Sequence, residues 1–163
     1  MFLFQHLIQI NGGLGIIRKI FLLIFIGLIV IAILIFEPFR SEPPTPSVTI
    51  GDVDIPTTQG SFCWKGLISG QCVDKIYTSP LEMAAEHKPT VVSSNEEVTI
   101  KFKKAPLKGT IVVTQWMGEN NTKSITVKND KFKVPKEKGM YVYYVIANWE
   151  KGSGSYAFSI EVK

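Results

Sequence analysis

The dominant pattern along the chain is one uninterrupted apolar run followed by segments in which apolar and polar residues alternate. From Ile20 to Phe36 the sequence reads IFLLIFIGLIVIAILIF, with no charged residue, no polar side chain and no proline. At about 1.5 Å per residue the run spans roughly 26 Å, slightly under the ~30 Å hydrocarbon core of a bilayer, and Ile16 and Ile17 lengthen it when Arg18 and Lys19 snorkel. A helix buried in a soluble protein would carry some polar face, and this one has none. A cleavable signal peptide has a shorter apolar core of about 7–15 residues and a small-x-small cleavage site, which EPFR at 37–40 does not supply. The run predicts a retained signal anchor over 20–36, behind a cytoplasmic tail of residues 1–19. Arg18 and Lys19 flank its N-terminal end, whereas Glu37, Arg40 and Glu42 mix signs after it. The bias places the N-terminus inside and the C-terminal part outside the cytoplasm.

Residues 1–17 are apolar but broken by Gln5, His6, Gln9, Asn11 and two adjacent glycines. They suit either a short interfacial segment or an extension of the membrane helix, and their role stays open. Residues 37–47, EPFRSEPPTPS, hold four prolines in a polar stretch and predict a semi-rigid spacer of about 20–30 Å.

Beyond Val48 the helical period does not appear. Val98 to Lys103 and Tyr156 to Lys163 alternate strictly, as half-buried strands do. Thr110 to Trp116 and Met140 to Trp149 are rich in β-branched and aromatic residues, which suits central strands. Shorter strands are expected at 124–127 and 131–134 around a turn at Asn129 and Asp130. Further turns are expected at 118–121, 136–139 and 152–154. Only Ser79 to His87 reads as a helical turn, with a serine cap and proline at the first position. About seven short strands predict an antiparallel β-sandwich over 48–163. The stretch EKGMYVY at 137–143 resembles the acidic-x-Gly-x-Tyr-x-Cys lead-in to strand F of immunoglobulin-like domains. The resemblance covers residues 90–163 and implies a corner hydrogen bond from Tyr141. Tyr143 stands where the inter-sheet cysteine would be, and Trp116 takes the place of the core tryptophan. Trp64, Trp149 and Phe158 complete the candidate core.

Cys63 and Cys72 are the only cysteines, both on the predicted outer side. An even count in an oxidising compartment reads as a disulfide, which staples residues 48–89. Gly60, Gly66 and Gly70 are expected to supply the turns that bring the pair together. Eight intervening residues do not suit a redox pair, and only His87 lies near enough to assist a metal. The run IPTTQGSFCW at 55–64, followed by CVD at 72–74, resembles a segment of outer-face domains in small membrane-anchored proteins and lipoproteins of Bacillus-type firmicutes. Lys138, Gly139 and Tyr141, then Trp149, then Tyr156, Ala157 and Phe158 match that family's C-terminal pattern. The resemblance implies compartment and architecture, and no activity.

Charge divides the outer part. Residues 41–97 carry three lysines against eight acids, and residues 98–163 carry twelve lysines against five. Lys101, Lys103, Lys131 and Lys133 sit at alternate strand positions. Such lysines either solubilise an outward face and guard an edge, or form a basic face for anionic wall polymer or lipid head groups. Without an arginine-aromatic patch, nucleic acid is not an expected partner. No nucleophile elbow, phosphate loop or histidine constellation occurs. Asp52 and Asp54 read as solvated turn residues, so no enzyme, cofactor or metal is predicted. Trp64 suits the core, whereas Leu67 and Ile68 at the tip of the stapled loop suit a contact surface. The reading is a non-catalytic, membrane-tethered module that binds an envelope component or another membrane protein. A sensor subunit of a membrane complex is the alternative.

Overall fold

The computed structural model describes residues 2–36, 42–66, 69–118 and 121–163. It divides into two compact units, residues 1–40 and 41–163.

The first unit is helix α1, Phe2–Phe36. No proline interrupts it, and it runs without a break from Phe2 through the tail. Within it the 19 residues Gly15–Ile33 are long and apolar enough to cross a membrane, and none of that stretch is buried inside protein. Its length of about 28 Å is close to the ~30 Å of a hydrocarbon core.

The second unit is a mostly antiparallel β body. In chain order it contains β1 (Pro46–Ile50), β2 (Val53–Ile55), β3 (Thr58–Lys65), β4 (Gly70–Val73), helix α2 (Pro80–Ala84), β5 (Thr90–Val92), β6 (Glu97–Phe102), β7 (Val112–Gly118), β8 (Asn121–Ile125), β9 (Lys131–Lys133), β10 (Gly139–Trp149) and β11 (Gly152–Val162). The smaller sheet runs β2-β1-β6-β9, and the larger runs β4-β3-β11-β10-β7-β8. β5 lies parallel to the second half of β11, with Ile160 opposite Thr90.

Period-two alternation explains how the sheets meet. On β6, Val98 and Ile100 are fully buried while Glu97, Thr99 and Lys101 point away. On β10, Tyr143, Val145, Ala147 and Trp149 face the same interior, and one apolar cluster draws on both sheets. Aromatic rings cross the gap. Phe132 of β9 lies 4.9 Å from Tyr143 of β10, which stacks on Phe158 of β11 at 5.3 Å. Phe102 of β6 meets Trp149 edge-on at 5.0 Å, and Trp149 meets Trp64 at 5.4 Å. Edge-to-face and offset pairs of this kind contribute beyond the area they bury.

Four details differ from the sequence expectation. Residues 152–154 are not a turn: the turn lies at Glu150 and Lys151, and Gly152 already pairs with Trp64. Glycine is needed there because a Cβ would run into the Cys63 carbonyl. The turn at Asn129 and Asp130, both at positive φ, does join the two short strands, but they fall in different sheets, β8 beside β7 and β9 beside β6. The spacer is shorter than 37–47, because Pro43 and Pro46 are buried in the body and the Tyr156 hydroxyl donates to the Pro44 carbonyl at 2.7 Å. Trp116 is not in the inter-sheet core: it shares its register position with Val142 on the outer face of the larger sheet, where it is partly buried near α2. The core tryptophans are Trp64 and Trp149.

Candidate functional site

Cys63 and Cys72 are bonded and directly opposite on β3 and β4. Both are exposed, whereas Trp64 beside them turns into the core, so the bridge and the indole occupy opposite faces of the hairpin. Closing a loop of this size contributes about 2–3 kcal/mol in the chain-entropy view. Of the glycines, only Gly66 and Gly70 border the hairpin turn. Gly60 lies within β3 under α2, where a Cβ would stand 2.6 Å from the Ser155 hydroxyl and 2.7 Å from the Met83 methyl. A register irregularity opposite Ser155 turns β3 so that Gly60 faces α2 while Phe62 and Trp64 face the core.

The distinctive run at 55–64 is accounted for by such packing. Ile55, Phe62 and Trp64 are core residues and Gly60 admits Met83. Ser61 ties down the segment after β4, donating to Asp74 at 2.7 Å and accepting from the Lys75 amide at 3.0 Å. That leaves Ile76 fully exposed on an anchored segment. The cap of α2 is likewise built locally: the Glu82 amide donates to the Ser79 hydroxyl at 3.4 Å, and Glu82 accepts from the Thr78 amide and hydroxyl at 2.6 and 2.7 Å. Those two bonds, the amide first, hold the Glu82 carboxyl below its ordinary range.

The predicted contact residues are scattered. Leu67 and Ile68 lie outside the described residues. Lys101, Lys131 and Lys133 do share the outer face of the smaller sheet, but Lys133 is paired in register with Glu97, and Lys131 approaches the Glu97 carboxylate at 3.4 Å. Lys103 lies beyond the end of β6. The face is therefore mixed in charge, and a surface ion pair of this exposure contributes about 0–1 kcal/mol. Asp52 and Asp54 are exposed around the β1–β2 connection. Among the described residues no three of His, Cys, Asp and Glu gather as a metal site would require.

A surface that the sequence reading missed lies on the outer face of the larger sheet. α2 covers part of it, with Met83 and Ala84 packed on Val142 and Ala157. The rest is open: Met140 is 67% exposed, Val112 50% and Ile146 36%, with Trp116 and Tyr144 half-buried between them. Beside α2 a concavity of about 400 Å³ is floored by Val142 and Ser159 and walled by Leu81, Ala84, Pro89 and Met140. The sequence signal was available in β10, where Met140, Val142, Tyr144 and Ile146 alternate with an equally apolar inward set. Pattern alone does not say that both sets are apolar for different reasons. No protein-family model, curated protein or solved structure matches the chain.

Proposed function

We propose that the protein is a membrane-tethered, non-catalytic interaction module, held in the bilayer by α1 with its β body outside the cytoplasm. The observation that carries this reading is the half-covered outer face of the larger sheet, since exposed contiguous apolar surface beside a shallow concavity is what a protein contact requires. The basic pair Arg18 and Lys19 before the apolar stretch and the disulfide between Cys63 and Cys72 support the orientation.

The body is best described as an immunoglobulin-like β-sandwich. Supporting this are the neighbour order β11-β10-β7-β8, the parallel pairing of β5 with β11, and the Tyr141 hydroxyl donating to the Glu137 carbonyl at 2.8 Å, as a tyrosine corner does. Tyr143 packed against Phe132 replaces the missing inter-sheet disulfide with aromatic contact. The resemblance to firmicute outer-face domains fits the same architecture.

Two measurements test the proposal. A membrane-impermeant thiol reagent should label Lys163→Cys in intact cells and spare Gln5→Cys; the reverse would overturn the orientation. Met140→Asp with Ile146→Asp should abolish retention of the full chain on isolated envelope or its co-purification with a membrane partner, and unchanged retention would remove the contact face. A stoichiometric membrane partner in mild detergent would move the reading toward a sensor subunit.

A further inference from the structure

We infer that the end of the β body where the chain arrives from α1 is a docking surface for anionic lipid headgroups, an inference that rests on the membrane-anchor reading above. The chain arrives at Pro43, which packs against Gly154, and β1 then leaves that end with Pro46 opposite Phe102. Three connections converge on the same end. In the β3–β4 hairpin the Lys65 amide donates to the Lys151 carbonyl of the β10–β11 turn at 2.7 Å. In the β6–β7 loop the Leu107 amide donates to the Asn148 carbonyl at 2.8 Å, and the Lys104 carbonyl accepts the Trp149 indole N–H at 2.8 Å.

These bonds hold Lys65, Lys103, Lys104, Lys108 and Lys151 at one end of the body, and all five are exposed. Glu42, Asp130 and Glu150 oppose them on that side among the described residues, so lysine stays in excess. Leu107, 45% exposed, sits among the lysines and suits the boundary between headgroups and acyl chains. The opposite end is different in kind, because its lysines lie against acids, as in Lys133 opposite Glu97 in register and Lys163 with Glu161 at 3.5 Å. The six residues 37–42 separate α1 from Pro43 and reach at most roughly 25 Å, so the basic end cannot leave the neighbourhood of the bilayer. Proximity matters because screening confines this attraction to about 8 Å at physiological salt. An anionic wall polymer would have no reason to select the tethered end.

The test uses the full chain reconstituted into phosphatidylcholine vesicles with or without phosphatidylglycerol. Tryptic cleavage after Lys104 and Lys108 should slow when the anionic lipid is present and recover at high salt, while cleavage after Lys138, which lies at the far end beside the start of β10, stays constant in the same molecules. Lys65→Gln with Lys151→Gln leaves those sites intact and should weaken the slowing by about fivefold per lysine removed. Lys136→Gln with Lys138→Gln at the other end should leave it unchanged. Equal cleavage in both lipids, equal slowing after Lys138, or slowing by soluble polyphosphate as strong as by lipid would each overturn the inference. A chain that floats with the vesicles but shows no protection removes the inference alone, whereas a chain that does not float removes the anchor reading with it.

Discussion

The core between the sheets and the small apolar cluster under α2 are built from alternate residues of the same strands, yet the first is closed and the second is half open. Along β10, Tyr143, Val145, Ala147 and Trp149 point one way and meet a full opposing sheet. Met140, Val142, Tyr144 and Ile146 point the other way and meet a helix of five residues. A single turn of helix cannot cover an eleven-residue strand, so the closed core and the exposed apolar face are separated by strand parity alone.

The sharpest way to break this division is Trp149→Ala. The indole touches both Trp64 and Phe102 and donates to Lys104, so its loss should cost about 3–5 kcal/mol, read as a lowered urea midpoint at unchanged slope. A cost below about 1 kcal/mol would mean that the two sheets do not share one core. Met83→Ala in the half-open cluster should cost less, about 2 kcal/mol, because neighbours there can settle toward the cavity.

The buried tyrosines give a finer test. Tyr156→Phe removes a bond to the Pro44 carbonyl and should cost about 1 kcal/mol, whereas the Tyr143 hydroxyl has no partner among the described residues, so Tyr143→Phe should be neutral or stabilising. Burial pushes both phenols above their ordinary value. Their contribution is therefore fully present below about pH 10 and is lost as pH rises past the ordinary tyrosine value, because the unfolded chain releases those protons first. Each phenylalanine variant should flatten that alkaline decline in a pH series of melting temperatures. The smallest effect belongs to the open face, where Met140→Ser with Ile146→Ser should change stability by no more than about 0.5 kcal/mol per site while removing partner retention.

Legibility in the sequence followed the same parity. β6 and the second half of β11 alternate with one polar face, and their strands and inward residues could be read directly. The apolar stretch of α1 was equally plain, although its start was not, because Gly12 and Gly13 suggested a break that a long helix absorbs. β7 was not readable in the same way. Its sequence VVTQWMG is apolar on both faces, so nothing local reveals that Val113 and Gln115 point inward and Trp116 outward. A slip of one residue exchanges the faces. The basic end was illegible for another reason: Lys65, Lys104 and Lys151 are far apart in sequence, and only the hairpin and loop bonds gather them.

The burial of Pro43 against Gly154 also bears on how the body would respond to being pulled from its N-terminal side. Beyond Pro43 and Pro44 the chain continues directly into β1, whose five residues pair in unbroken register with β6 from Pro46 opposite Phe102 to Ile50 opposite Val98. Tension applied along β1 from its N-terminal end acts parallel to the strand pair, so it loads those rungs together in shear instead of peeling them one after another. The first strand after α1 in the chain is thus attached in the orientation that resists mechanical extraction along its own axis.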